Sequence, residues 1–259
     1  MNITWMGLMI SALAGLALGS FANVVIYRVP REKSIVKPRS TCVSCGQQIP
    51  WYDNIPILSY LILGGKCRFC KSTISSRYPL VEFLTTFLFM AVYWKFGLSI
   101  EAVWYMSLMF VLIITAFVDL DYLIIPQPFI TAGVIMAISG LVAFRGSRWI
   151  SALIGAAIIS GFLFLAGLFG KALFKKDSMG SGDVLLGIVI GLFLGWELSL
   201  MMLFLTFFSA AVILLILMAM KRVRTGVQVP FGPFMAIGAV LSLFFGHFLI
   251  DMYMTYVWI

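Results

Sequence analysis

Charge is what this chain lacks. Only 11% of its 259 residues are charged, against 62% hydrophobic, and the mean hydropathy is +1.08. A soluble globular chain is excluded at that composition. Other scarcities narrow the field. There is one histidine, His247, and there are four cysteines, all in one short polar region. No Gly-rich nucleotide-binding fingerprint follows a strand there, and no convincing internal repeat of the kind paired-repeat transporters carry is visible. The first apolar segment has no basic leader before it, so it reads as a retained anchor and not as a cleaved signal peptide.

What is present is a series of long apolar runs. At roughly 20 residues per crossing, eight spans are expected: Trp5–Ile26, Leu80–Phe96, Ile100–Val118, Leu123–Phe144, Ile150–Phe169, Val184–Trp196, Leu198–Met220 and Phe234–Val257. The expected fold is an all-α polytopic membrane protein. It divides into a first transmembrane helix (residues 1–26), a loop domain (27–79) and a transmembrane bundle (80–259). The sixth span is the weakest, being short and rich in glycine (Gly187, Gly191, Gly195), which suits close packing against a neighbour.

Basic residues fix the expected orientation. Loops after the first, fifth and seventh spans hold 15 lysines and arginines, from Arg28 to Arg224, and the opposite face holds 3, Lys95, Arg145 and Arg148. Both chain ends are therefore expected outside and the long loop in the cytoplasm. The same bias accounts for the net charge of +8, with no nucleic-acid partner needed.

The four cysteines form two C-x-x-C pairs, Cys42 with Cys45 and Cys67 with Cys70, separated by 21 residues. That spacing matches a tetrahedral thiolate zinc site, and the metal would stabilise a loop too small to bury much core. Two disulfides are the competing reading, disfavoured in a reducing compartment. Four thiolates fill the coordination shell, so the zinc is expected to be structural, with Lys66, Arg68 and Lys71 placed to offset its charge.

Two acidic stretches, Val118-Asp119-Leu120-Asp121 and Gly180-Ser181-Gly182-Asp183, stand where apolar runs meet polar segments. Ionisable groups there are costly and suggest function. Two carboxylates at one membrane face suggest an embedded aspartyl hydrolase, in which one activates water and the other, protonated, polarises the scissile carbonyl. Residues two apart on a helix point about 200° apart, so Asp119 and Asp121 cannot both face a partner, and Asp121 reads as a solvated acid. Glycines beside Asp183 would let a substrate backbone approach. Asp177 reads as solvated, Glu82 as a partner of Arg77 with an interfacial substrate contact as the alternative, and His247 with Asp251 as a hydrogen-bonded pair near the outer interface with a catalytic relay as the alternative.

An ordered set of motifs then carries a resemblance. Gly19-Ser20-Phe21-Ala22-Asn23-Val24-Val25-Ile26-Tyr27-Arg28, Trp51-Tyr52-Asp53-Asn54-Ile55-Pro56 and Ser76-Arg77-Tyr78-Pro79-Leu80-Val81-Glu82 lie in the first third. Phe117-Val118-Asp119-Leu120-Asp121, Gly180 to Asp183 and Pro230-Phe231-Gly232-Pro233-Phe234 follow. Together they resemble the type IV prepilin peptidases of bacterial inner membranes. The chain departs from that pattern at Gln127, where an Asp is frequent, and at Leu185, where a Lys is usual.

The resemblance implies Asp119 and Asp183 as the catalytic pair, and prepilin or pseudopilin substrates of a type IV pilus or type II secretion system. It also implies N-methylation of the new amino terminus from S-adenosylmethionine; the loop is the candidate home of that step, its donor-binding residues are not located by any motif, and Arg28, Asp53 and Glu82 are candidates for it. A proton-coupled transporter and a non-enzymatic assembly factor are the alternatives from other classes.

Overall fold

A computed structural model describes all residues except 1–3, 145–147, 176–178, 222–227 and 258–259. Arg145, Lys176, Asp177, Arg222 and Arg224 lie outside the described residues. Eight α-helices are present among them: α1 Trp5–Arg28, α2 Leu58–Ile62, α3 Arg77–Phe96, α4 Ile100–Tyr122, α5 Gln127–Ala143, α6 Trp149–Phe174, α7 Ser181–Ala219 and α8 Gly232–Val257. Six of these (α1, α3, α4, α6, α7 and α8) are long and apolar enough to cross a membrane, and α5 is apolar but shorter. Large side chains such as Phe169, Leu165 and Phe248 stand exposed on α6 and α8. In water such a surface would be a liability; against lipid it is the ordinary exterior of a multi-pass membrane protein. The chain packs as two units, Met1–Ile114 and Thr115–Ile259.

The first unit is organised by a stripe of small residues on α1. Gly7, Ser11, Gly15 and Gly19 recur every four residues and are all buried, and so is Asn23 at the next step. They press on α3, which runs antiparallel: a Cβ on Gly15 would stand 2.5 Å from Thr86 Cα, and one on Gly19 2.8 Å from Glu82 Cα. Without a strong hydrophobic drive between helices in lipid, such close backbone approach is what holds them. Polar clasps close both ends. Thr4 caps α1 by accepting from the Gly7 N–H and pairs its hydroxyl with that of Tyr93 at 3.2 Å. Asn23 Nδ2 donates to the Tyr78 carbonyl at 3.0 Å.

In the second unit the expected sixth and seventh spans are the two arms of α7. They join at Gly195, whose backbone (φ 72°, ψ 177°) breaks the helix. Only glycine adopts that conformation without penalty. The first arm packs on α6, Gly187 against Ile159, Gly191 against Ala156 and Gly195 against Ser151, so the expected close packing of these glycines is found. The second arm returns along α8: Ser242 Oγ donates to the Leu198 carbonyl at 2.7 Å, and the Phe207 and Phe231 rings lie 5.5 Å apart. The first arm, residues 181–194, is about 21 Å long at 1.5 Å per residue, shorter than the roughly 30 Å hydrocarbon layer. The fourth expected span starts later than its apolar run, at Gln127, because Pro126 is extended and Pro128 falls in the first helical turn, where proline is tolerated.

Candidate functional site

Asp119 lies in the last turn of α4 and is 5% exposed, whereas Asp121, two residues on, is exposed to the surface. The two acids thus face opposite ways, as residues two apart on a helix do. Asp119 Oδ2 accepts a hydrogen bond from the Gly232 N–H at 2.7 Å. Gly232 is the first residue of α8, so this N–H is one of the donors that a helix start leaves unpaired, and a carboxylate is its natural partner. The next residue, Pro233, has no N–H to offer and is suited to a first turn. A Cβ at position 232 would stand 2.9 Å from Asp119 Oδ2, so glycine is what permits the contact.

Asp183 lies in the first turn of α7. Its Oδ2 accepts from the Gly180 N–H at 3.2 Å, a short-range cap for the start of that helix. The Asp183 carboxyl also senses the Asp119 carboxyl electrostatically, although the two stand 64 positions apart in sequence. The glycines beside Asp183 have a structural use. Gly180 supplies the capping N–H, and Gly182 lies where a Cβ would stand 3.0 Å from the Cβ of Ile125. One carboxyl in the last turn of α4, buried, and one in the first turn of α7 are groups of the kind that divide acid and base roles between them.

The polar loop holds the second constellation. Ligand atoms of Cys42, Cys45, Cys67 and Cys70 all lie within 4.8 Å of one another, and no pair is bridged. Tetrahedral coordination with metal–sulfur bonds of about 2.3 Å requires sulfurs about 3.8 Å apart, so the cluster can hold a metal ion. The two knuckles are built in one register at an offset of 25 residues. The Cys42 N–H donates to Gln47 O and the Cys67 N–H to Ser72 O, both at 2.9 Å; Ile49 N–H returns to Ser40 O and Ile74 N–H to Gly65 O. Isolated bridges join Thr41 to Gln48 and Lys66 to Thr73. At the left-handed position of each turn stand Gly46 (φ 71°) and Lys71 (φ 60°).

The thiols divide in acidity. Cys42 is drawn down to about 6, chiefly by the Cys45 N–H against the opposing effect of burial. At Cys45 the Gln47 N–H favours the thiolate, but burial and the bonds to Cys42 and Cys70 hold it up at about 11. Four negative sulfurs cannot crowd together without a cation to take up the charge. Arg68 serves another partner than the thiolates: its Nε and Nη2 grip Asp53 at 2.6 Å each, and the guanidinium holds that carboxyl below the usual carboxylate range.

Beside the last turns of α1 and the first turns of α3 the loop borders an open cavity of about 970 Å³, lined by Ser20, Asn23, Tyr27, Ser59, Thr73 and Tyr78 among others. This is the upper end of the range for small-molecule sites. Arg28, Asp53 and Glu82 all line it. Each also has a structural bond: Arg28 donates to the Ser34 and Pro38 carbonyls, Asp53 holds Arg68, and Glu82 Oε2 accepts from the Ile57 N–H at 2.7 Å. Glu82, expected to pair with Arg77, thus turns to the loop backbone. His247 and Asp251 are both exposed on α8.

In the sequence, Phe231-Gly232-Pro233 stands out only as part of a family resemblance, with no expected contact to Asp119. The available signal was a Gly-Pro pair opening an apolar run, which marks a helix start with a free N–H.

Comparison with known proteins covers both units. Residues 13–96 match the Bacterial Peptidase A24 N-terminal domain, and residues 106–215 match the Type IV leader peptidase family. A prepilin leader peptidase/N-methyltransferase of Myxococcus xanthus is 44% identical over 216 residues, 80% of this chain and 62% of that protein, so the match spans less than two thirds of that relative. Proteins of the same name from Pseudomonas aeruginosa (32% identical, 94% of this chain, 92% of that one) and Legionella pneumophila (31%, 98% and 97%) match nearly end to end. No solved structure matches the chain.

Proposed function

The chain belongs to the type IV leader peptidase family, and from that membership we propose a two-step enzyme of the bacterial inner membrane. It cleaves the short basic leader of prepilins or pseudopilins, with Asp119 and Asp183 as the catalytic pair, and then N-methylates the exposed amino terminus. The observation that supports the first step is the electrostatic influence of a buried Asp119, held by the Gly232 N–H, on Asp183 at the start of α7. In that step one carboxylate takes a proton from water as it attacks the scissile carbonyl, while the other donates a hydrogen bond to the carbonyl oxygen. The proton then passes to the leaving amine.

The bias of 15 basic residues to 3 supports a cytoplasmic position for the loop and the site. Zinc is the metal that best suits the four cysteines, since a closed tetrathiolate shell is its usual structural site. It would hold the two knuckles together and leave no position open for substrate. S-adenosylmethionine is the methyl donor, and the loop cavity, with Asn23, Tyr27, Tyr78 and Glu82 on its walls, is the place where this chain would bind it. A transporter reading loses ground because both halves of the chain match a peptidase family.

The test is direct. Purified protein incubated with a prepilin and S-adenosylmethionine should release the leader and add 14 Da, about one methyl group, to the mature chain. Asp119→Asn and Asp183→Asn should each abolish cleavage while the protein still inserts, and Asp121→Asn should retain it. Substantial cleavage by either of the first two folded variants would remove that residue from the pair.

A further inference from the structure

Between the 3₁₀ turn at Trp51–Asn54 and α2, the chain reverses at Ile57, whose backbone (φ 61°, ψ −51°) lies in the strained γ-turn region. The Leu58 N–H closes the turn on the Pro56 carbonyl at 2.5 Å. A β-branched residue is the least suited to a positive φ. Strain of this kind persists where the surroundings impose it, and it clusters at binding sites. Here the imposing group is identifiable. The Ile57 N–H, turned outward by the unusual backbone, donates to Glu82 Oε2 at 2.7 Å.

Glu82 is well anchored for that task. It is 8% exposed, and Gly19 of α1 packs directly on its backbone. The cavity wall is the strained segment itself: Ile55, Ile57, Ser59 and Tyr60 line it, and Glu82 and Ser20 line it from below.

We infer that Glu82 is a positioning residue for the methyl donor: from the rigid α1–α3 pair its carboxylate holds the Ile57 turn in its strained form and so fixes the wall of the loop cavity. This rests on the reading that the cavity takes S-adenosylmethionine. A side-chain oxygen that accepts from this backbone N–H is enough to hold one turn residue against its own preference, because relaxing the turn would leave a half-buried donor without its partner. Without it Ile57 relaxes toward negative φ, the wall shifts, and the donor is bound less well. The chemistry of transfer is unaltered, because the carboxylate acts through the turn.

The experiment measures binding of S-adenosylmethionine to the full-length detergent-solubilised protein by equilibrium dialysis. It also measures kcat and KM for methylation of precleaved pilin, with zinc content as the folding control. Glu82→Leu should raise Kd and the donor KM at least tenfold with kcat within about threefold. Glu82→Gln, which keeps an acceptor oxygen in place, should stay within about threefold of wild type. Adding Ile57→Gly, which removes the objection to positive φ, should recover most of the loss in Glu82→Leu. If Glu82→Leu alone does not fold, the Ile57→Gly background carries the test, and a tenfold loss there overturns the inference.

A Glu82→Gln variant as weak as Glu82→Leu also overturns it, since charge and not reach would then matter. Thr73→Trp, which fills the cavity from the other side, tests the underlying reading separately. If it binds the donor as wild type does, the cavity is not the donor site. If it fails to bind while Glu82→Leu binds normally, the cavity stands and the role of Glu82 falls.

Discussion

Replacing Gly232 by alanine adds one methyl group at the most confined point of the aspartate site. The new Cβ would stand 2.9 Å from Asp119 Oδ2 and 3.3 Å from Asp119 Cβ, closer than a carbon settles against either atom. Asp119 is buried, so its carboxylate has little room in which to retreat. Either the carboxylate turns away or the start of α8 moves by a few tenths of an ångström, and both lengthen the 2.7 Å bond from the Gly232 N–H. Hydrogen bonds to charged groups contribute roughly 1.5–3 kcal/mol. If that is lost in the transition state, kcat/KM for leader cleavage falls roughly 10- to 150-fold. The assay is cleavage of a prepilin by purified Gly232→Ala in detergent, with zinc content as the folding check. Gly161→Ala on α6 is the matched control, because a Cβ there meets nothing within 4 Å. A Gly232→Ala enzyme within threefold of wild type would refute the argument that this N–H sets the Asp119 carboxylate. Equal losses in both variants would refute it as well.

Lys71→Gly should stabilise the loop by about 0.5–1 kcal/mol, because it puts in the second knuckle the residue type that Gly46 supplies in the first. Slower zinc release to a chelator is the expected readout, and faster release would show that the lysine side chain matters more than its backbone. Arg68→Lys should loosen the loop, since a lysine cannot reproduce the two-pronged grip on Asp53; limited proteolysis several-fold faster at residues 50–70 is expected, and an unchanged rate would make that pair dispensable. Asp183→Asn, given an already cleaved pilin, should still transfer a methyl group. A folded variant unable to do so would couple the two activities and remove support for a separate donor site.

Local patterns carried much of the architecture. Apolar run length gave the helices, the two-residue spacing of Asp119 and Asp121 told the buried acid from the exposed one, and the cysteine spacing gave the thiol cluster. The contacts that escaped are those joining distant positions. Nothing near Asp119 announces Gly232, because a helix start is legible but its partner is chosen by packing. Glu82 was assigned to Arg77 since a nearby opposite charge is the simplest partner in sequence; the fold offered a backbone N–H across the loop instead. The shared register of the two knuckles lies in backbone bonds that dissimilar side chains conceal, for Val43-Ser44 and Arg68-Phe69 have nothing in common.

The glycine hinge of α7 also bears on how the chain enters a membrane. An arm of about 21 Å is too short to settle across a bilayer by itself during synthesis. Its partner arm follows after only Gly195, Trp196 and Glu197, so no polar loop of any size has to be carried through. The two arms are therefore built to go in together as a preassembled hairpin. A residue at position 195 unable to take positive φ would straighten the pair into one rod about 58 Å long, at 1.5 Å for each of its 39 residues. Biogenesis would fail before catalysis was ever tried, and such a variant should be missing from the membrane fraction.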